Sequence, residues 1–321
     1  MRPSGVPPLP ETGHSSFADD VAYYLSEKPR QLPSRYLYDE LGSSLFEAIC
    51  HLPWYQITRT EQALLEAHAA TIFDRLPSIS RVVEFGPGSG EKLSTLMAGC
   101  RNREVAVHLV DVSQDALAKA AHALSAHPSV TVVTHRTTYE EGLATIGHLN
   151  EGAGGTLAVF LGSNIGNFDP PGVDRFLLGV RSILLSGDAL LLGTDLVKPE
   201  RELLLAYDDP LGVTAAFNRN LLVRVNRELG GNFDVGQFAH RAAWNAQASR
   251  IEMHLVSRQW QRVRVAASEI DITLEEGEMI WTESSYKYHV DEVGPMLARA
   301  GFRVIGQWVA DGFALTLAES P

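Results

Sequence analysis

The sequence predicts an α/β fold in which helices cover both faces of a parallel sheet. Between residues 81 and 195, apolar runs alternate with amphipathic helical segments; the runs are 82–85, 105–110, 130–133, 157–161 and 189–192. Strands that are apolar throughout and separated by helices are typical of a parallel sheet buried on both faces. Right-handed crossovers between such strands make a doubly wound sheet the expected topology.

The end of the chain carries a different signal. A helix with Val290, Val293 and Leu297 on one face is predicted to close at Gly301, and two alternating runs follow, 302–308 and 313–318. They are joined through Asp311–Gly312, and an Asp-Gly pair between two such runs is typical of a β-hairpin. We therefore expect the parallel sheet to end in an antiparallel hairpin.

The N-terminal part predicts short helices. Residues 1–15 hold Pro3, Pro7, Pro8 and Pro10 and are expected to form a mobile arm. Thr58 and Glu61 have the spacing of a capping box, which predicts the start of a helix that stops at Pro77.

The pattern changes again after residue 196. A helix is predicted over 213–229, and alternating segments near 251–257, 261–266 and 270–274 indicate strands of an α+β insertion. We predict a mobile arm (1–15), a core (61–196 with 286–321) and an α+β accessory domain (16–60 with 197–285).

Composition excludes several classes of protein. The 321 residues carry 27 Lys and Arg against 39 Asp and Glu, a formal charge of −12, so a nucleic acid or an anionic membrane surface is not an expected partner. No apolar run approaches the ~18 residues of a membrane span, and the N-terminus lacks the apolar region of a secretory signal. Cys50 and Cys100 have no metal-site spacing and are expected to be free thiols, which predicts a soluble cytoplasmic protein.

A glycine-rich turn is the strongest local signal for a ligand. Gly86, Gly88 and Gly90 follow the first parallel strand and open a helix, and Asp111 ends the second strand about twenty residues on. Glycines let a ligand approach the backbone closely, and a carboxylate at this position can accept both ribose hydroxyls. A nucleoside-bearing cofactor is therefore favoured over turns that only pack.

The glycine spacing differs from that of the dinucleotide-binding fingerprint. Together with the terminal hairpin, it resembles the class I (Rossmann-like) methyltransferases, which depend on S-adenosylmethionine. Longer stretches are similar to the histidine-specific Nα-methyltransferase family, which makes trimethylhistidine (hercynine) in ergothioneine biosynthesis. These stretches lie at residues 38–39, 42–46, 52–55, 58–61, 160–167, 193–198, 206–209, 212–218, 251–253 and 282–285.

The resemblance implies roles for the matching positions. S-adenosylmethionine would contact Gly86, Gly88, Lys92, Asp111, Thr138, Tyr139 and Gly162. Histidine would contact Tyr55, Asn167, Tyr207, Met253, Glu283 and Ser285. Within that set, Asn167 and Tyr207 would hold the carboxylate, and Glu283 and Ser285 the imidazole. Tyr38, with Phe46 and the 162–164 turn, would surround the α-amino group, and Tyr38 and Asn167 are the expected catalytic residues.

One position departs from the family pattern. Thr138 precedes Tyr139 where the family usually has an aspartate, so we expect weaker cofactor binding through loss of a charge-assisted hydrogen bond. Structural roles without ligand binding are the alternatives for three of these residues: Asn167 as the cap of the following helix, Glu283 as a solvated strand residue and Lys92 as a surface lysine.

The implied reaction is stepwise methylation of L-histidine through mono- and dimethylated intermediates, with S-adenosylhomocysteine as by-product. It needs a neutral amine held close to the methyl carbon, and no metal is expected; a monomer is the expected state. Tyr38, acting through water, is the hypothetical proton acceptor. Two alternatives stay open: an N-methyltransferase for a tryptophan derivative, and a non-catalytic cofactor-sensing module.

Overall fold

The computed structural model describes residues 16–100, 103–147 and 154–321. The predicted mobile arm, residues 1–15, lies outside the described residues. The helices are α1 (Phe17–Ser26), α2 (Glu40–Cys50), α3 (Ile57–Arg75), α4 (Glu91–Ala98), α5 (Gln114–Leu124), α6 (Tyr139–Gly147), α7 (Pro170–Ile183), α8 (Glu200–Tyr207), α9 (Val213–Leu229) and α10 (Val290–Arg299). The strands are β1 (Arg30–Gln31), β2 (Ile79–Phe85), β3 (Val105–Asp111), β4 (Val130–Arg136), β5 (Gly155–Phe160), β6 (Ala189–Asp195), β7 (Phe238–Asn245), β8 (Arg250–Ser257), β9 (Gln261–Val265), β10 (Ile270–Leu274), β11 (Met279–Tyr286), β12 (Arg303–Ala310) and β13 (Phe313–Glu319).

A seven-stranded sheet forms the core, in the order β12-β13-β6-β5-β2-β3-β4. Strands β2 to β6 pair in parallel, and β13 is antiparallel to both of its neighbours. Every residue of β6 is buried, which explains why its first five residues, 189–193, are apolar or glycine without alternation. The predicted α/β fold with a parallel sheet and an antiparallel C-terminal hairpin is confirmed.

A second sheet lies on the accessory side of the chain, in the order β1-β11-β8-β7, with the hairpin β9–β10 beside it. The sequence predicted β8, β9 and β10 but not β1, β7 or β11. Strand β1 pairs in parallel with β11, Arg30 opposite Ile280, so the N-terminal segment joins a sheet built mainly from residues 238–286. The division into two domains stays a prediction, and α3 runs across its proposed boundary at residue 60.

The predicted capping box at the start of α3 is wrong. The helix begins at Ile57, and no side chain caps its first turn. Glu61 is instead fully buried, where its carboxylate accepts hydrogen bonds from Lys92 and from the backbone N–H of Gly162. An ammonium group offers a carboxylate a stronger partner than a helix-end amide that water can satisfy.

Across the described ranges, no helix combines the length and the apolar character needed to cross a bilayer.

Candidate active site

A cleft of about 480 Å³ lies between the turn after β5 and the face formed by β8 and β11, with α2, α8 and α9 closing its sides. The predicted residues that line it are Tyr38, Tyr55, Gly162, Asn167, Tyr207, Met253, Glu283 and Ser285. Their sequence positions span almost 250 residues, so the fold brings together side chains that only the resemblance had grouped.

Strand β11 supplies one wall of the cleft. Side chains alternate along a strand, so Glu283 and Ser285 share a face, and Met253 on β8 lies opposite Glu283 in the antiparallel register. The strand is irregular between Trp281 and Glu283, and the polar residues follow that irregularity. Glu283 is therefore a buried residue of the cleft, and its reading as a solvated strand residue is wrong.

Glu283 is an unusual carboxyl group. Only 9% of the residue is exposed, and burial raises its pKa to about 7, although the positive charge of Lys287 opposes this shift. Within the described part of the chain, no side chain donates a hydrogen bond to its carboxylate. An acceptor of this kind is available to a ligand that brings its own N–H donor.

Tyr207, at the end of α8, contacts Ser285 of β11, and both residues line the cleft. Their hydroxyl oxygens are 2.8 Å apart, and both accept hydrogen bonds from the ammonium of Lys287, at 2.8 Å and 2.9 Å. Lys287 also forms an ion pair with Asp195 at 2.9 Å. The hydroxyl pair is thus fixed from behind, with its front toward the cleft.

Aromatic rings enclose the rest of the cleft. Tyr38 lies 5.5 Å, between ring centroids, from both Phe46 and Phe217, and Tyr55 lies 6.2 Å from Phe46 and from Tyr207. Such ring faces attract cations, including quaternary ammonium groups. Burial, and then the charge of Glu283, raises the pKa of the Tyr38 hydroxyl well above its usual value, so it stays protonated at neutral pH.

Asn167 ends a short 3-10 turn, Asn164–Asn167, that follows β5 and borders the cleft. The alternative role as a helix cap is wrong, because Asp169 caps α7 by accepting a 2.8 Å hydrogen bond from the backbone N–H of Gly172. The Asn167 side chain is therefore not used as a cap.

The glycine loop after β2 fits a ligand that approaches the backbone. Gly86, with φ +73°, leaves room for the hydroxyl of Tyr139, since a Cβ there would lie 2.5 Å from it. Gly88, with φ +55°, is exposed and has no atom within 4 Å of where its Cβ would be. The loop is thus closed on one side by packing and open on the other, as a cofactor cradle requires.

Two further predicted cofactor residues lie at the ends of β3 and β4. Asp111 accepts a 2.8 Å hydrogen bond from the backbone N–H of Ser113 through Oδ1, and burial raises the pKa of its carboxyl. This half-buried carboxylate keeps acceptor positions for ribose hydroxyls. Thr138 accepts a 3.3 Å hydrogen bond from the backbone N–H of Glu141, so its hydroxyl caps α6.

Lys92 links the glycine loop after β2 to the cleft. Its ammonium lies 2.6 Å from Glu61, whose carboxylate also accepts the N–H of Gly162 at 2.8 and 2.9 Å. Burial disfavours the charged lysine, but the negative charge of Glu61 outweighs this and raises the pKa of Lys92. The alternative of a plain surface lysine is wrong, since Lys92 is half-buried and forms an ion pair with the fully buried Glu61.

A family described as histidine-specific, S-adenosylmethionine-dependent methyltransferases matches residues 17–320. The chain belongs to this family. Among its relatives, the histidine N-alpha-methyltransferase of Mycolicibacterium smegmatis is 41% identical over 304 residues, 93% of each chain. That of Mycobacterium tuberculosis is 40% identical over 313 residues, 96% of each chain. The ergothioneine biosynthesis protein 1 of Neurospora crassa is 28% identical over 79% of this chain and 31% of its own length.

The methyltransferase has two buried charged groups beside its cleft that sequence reasoning missed. Glu61 was taken for a helix cap, and Lys287 received no role. Strand periodicity contains a signal for Lys287, because it follows Glu283 and Ser285 at spacings of two residues. No local pattern marks the partner of Glu61, since Gly162 is about a hundred residues away in the chain.

Proposed function

We propose that this methyltransferase adds three methyl groups to the α-amino nitrogen of L-histidine, giving hercynine, a step of ergothioneine biosynthesis. The observation that carries the proposal is one small cleft that combines the Glu283 carboxylate with the Tyr207–Ser285 hydroxyl pair. The same cleft reaches the turn at Gly162, which contacts the Glu61–Lys92 pair of the cofactor side.

The polar groups match the two ends of histidine. Tyr207 and Asn167 bind the carboxylate, for which both can donate hydrogen bonds. Glu283 accepts from one ring nitrogen, and the Ser285 hydroxyl bonds the other. Indole has one N–H and no second ring nitrogen, so a tryptophan derivative satisfies only one of the two partners. This difference favours histidine over the tryptophan alternative.

The methyl-transfer end of the cleft lies at the aromatic rings. Bound S-adenosylmethionine supplies an electrophilic methyl group, and Gly86, Gly88, Lys92, Asp111, Thr138, Tyr139 and Gly162 are the residues proposed to hold it. Tyr38 and Phe46 enclose the amine, exclude water and favour the cationic methylated product. Tyr55 and Met253 are proposed to close the cleft.

The proposal extends to the state in which the enzyme works. We propose a monomer that keeps the mono- and dimethylated intermediates as later substrates. The cytoplasm is the proposed compartment, because its reducing conditions preserve Cys50 and Cys100 as thiols.

Mass spectrometry of purified protein with L-histidine and S-adenosylmethionine tests the function. Gains of one, two and three methyl units are expected, and a chain that methylates only tryptophan would overturn the proposal. Glu283→Ala should lower the ratio of histidine turnover to tryptophan turnover, with Glu276→Ala, an exposed turn residue, as the control. Binding of cofactor without any methylated product would support the non-catalytic alternative.

A further inference from the structure

A buried lysine stands directly behind the cleft. Lys287 follows β11, and its side chain is 0% exposed in the ion pair with Asp195. Its ammonium donates hydrogen bonds to Tyr207 and Ser285 and forms an ion pair with Asp195. An ammonium group is costly to bury, and this one is placed against the two hydroxyls that face the ligand.

The direction of these hydrogen bonds is fixed by chemistry. A lysine ammonium donates and never accepts, so Tyr207 and Ser285 each use an acceptor position on Lys287. Each hydroxyl therefore keeps its own hydrogen for another acceptor, either the neighbouring hydroxyl or a ligand in the cleft. The Tyr207–Ser285 hydroxyl pair can therefore donate hydrogen bonds into the cleft.

The charges behind the wall do not cancel. Asp195, which is 1% exposed, pairs with the buried Lys287 and with the half-buried Lys198. The three groups together carry one surplus positive charge. Within the described part of the chain, the residues that line the cleft include no Lys or Arg. The carboxylate that faces the cleft, Glu283, lies on the same strand face as the hydroxyl pair's Ser285 and would repel a second anion unless that surplus is present.

We propose that Lys287 is a positioning residue that makes the cleft select amino acids with a free α-carboxylate over the corresponding decarboxylated amines. This rests on the proposed function, since the carboxylate is that of the methylated amino acid. The positive charge acts on the carboxylate through the Tyr207 hydroxyl, which Lys287 polarises as an O–H donor. Asp195 holds the ammonium in place.

Calorimetric binding of L-histidine and of histamine, both with S-adenosylhomocysteine present, tests the proposal in the full chain. Lys287→Met should weaken histidine binding roughly tenfold to a hundredfold, the value of a hydrogen bond to a charged group. It should weaken histamine binding clearly less, because histamine has the ring contacts of Ser285 and Glu283 but no carboxylate. Lys198→Met removes the surplus charge but keeps the donor to the hydroxyl pair, so it should cost less selectivity than Lys287→Met. Lys119→Met, at an exposed position of α5, is the control and should keep the full selectivity.

If Lys287 has only a structural role, Lys287→Met should weaken the binding of histidine and of histamine by the same factor. That result would overturn the proposal. If Lys287→Met fails to bind S-adenosylhomocysteine and so has not folded, Lys287→Gln keeps a polar side chain without the charge and should show the same loss of selectivity. Removal of the charge should also move the acidic limb of the pH profile to higher pH, because Lys287 lowers the pKa of Glu283.

Failure of the inference is separable from failure of the proposed function. If the wild type methylates histidine and Lys287→Met loses both ligands equally, only the role of Lys287 is lost. If the wild type methylates tryptophan instead, the proposed function is lost, and tryptophan against tryptamine then decides the role of Lys287 by the same ratio.

Discussion

The proposed role of Glu283 as a ligand-binding carboxylate conflicts with its burial. The carboxyl group is almost inaccessible, lacks a hydrogen-bond donor among the described side chains, and has a pKa raised to about 7 by burial. Functional groups held in this way cost stability in the free protein and are satisfied when a ligand brings the missing donor. The cleft is therefore expected to be less stable empty than occupied.

The first prediction concerns stability against pH. Below about pH 4.5 both the folded and the unfolded protein hold this proton; between there and about pH 7 only the folded state does, so the free energy of unfolding falls as pH rises. Glu283→Gln removes this loss and should gain stability relative to wild type across that range, on the order of 3 kcal/mol at most. Denaturant unfolding at pH 5 and pH 8 measures it.

Glu276→Gln, at an exposed turn, is the control for that measurement and should give the same difference from wild type at both pH values. If Glu283→Gln differed from wild type by the same free energy of unfolding at pH 5 and pH 8, the buried carboxyl would not be the source of the pH dependence.

Tyr38 carries the second prediction. Because its pKa is raised, the Tyr38 hydroxyl stays neutral. It can relay the proton of the substrate amine only by accepting a proton from a bridging water while it donates its own hydrogen to another acceptor. Tyr38→Phe keeps the ring between Phe46 and Phe217 and should slow methyl transfer about a hundredfold with little change in histidine affinity. Steady-state rates against pH test this, with the exposed Tyr23→Phe as control, and an unchanged profile counts against the relay.

At the scale of elements, the sequence was most informative where the local pattern and the tertiary environment agree. Helix α9 covers the predicted residues 213–229, and the five parallel strands lie where the apolar runs are. Strands β7 and β11 were missed because polar and small residues interrupt their alternation. Pairing with β8 stabilises both strands, and this pairing is not visible in their own sequences.

The glycine loop gives the third prediction. Gly88 and Gly277 both have positive φ and open space where a Cβ would be, so alanine costs similar backbone strain at each, about 1–2 kcal/mol. Only Gly88 lies in the proposed cofactor cradle. Gly88→Ala should weaken S-adenosylhomocysteine binding roughly tenfold by removing close backbone contact, while Gly277→Ala leaves it unchanged.

Calorimetry gives both affinities, and denaturant unfolding checks that the two variants lose similar stability. Equal affinities in the two variants would remove Gly88 from the proposed cradle.

At the scale of the whole molecule, the cleft draws residues from both sheets and from helices far apart in the chain. Gly162 and Asn167 follow the core strand β5, whereas Met253, Glu283 and Ser285 belong to the second sheet. Movement of these two parts would open the cleft for exchange of spent cofactor, as many enzymes require before a second turnover. The three proposed methyl transfers require that S-adenosylhomocysteine be replaced by S-adenosylmethionine after each transfer.

The fourth prediction follows from this movement. For 321 residues the compact radius of gyration is about 20 Å, and we expect it to fall when S-adenosylhomocysteine and histidine bind together. Small-angle scattering of the free chain, the chain with S-adenosylhomocysteine alone and the ternary complex measures the change. Superimposable profiles in all three samples would contradict closure.

The sequence by itself determined the parallel sheet, the terminal hairpin, the glycine turn and the family, because each depends on the order and spacing of residues along a short stretch. The tertiary structure decided which polar groups are buried together. Glu61 prefers Lys92 and Gly162 to a helix end, and Lys287 pairs with Asp195 behind Tyr207 and Ser285. A buried charge is stabilised by partners from distant elements, and these partners become neighbours only when the chain has folded.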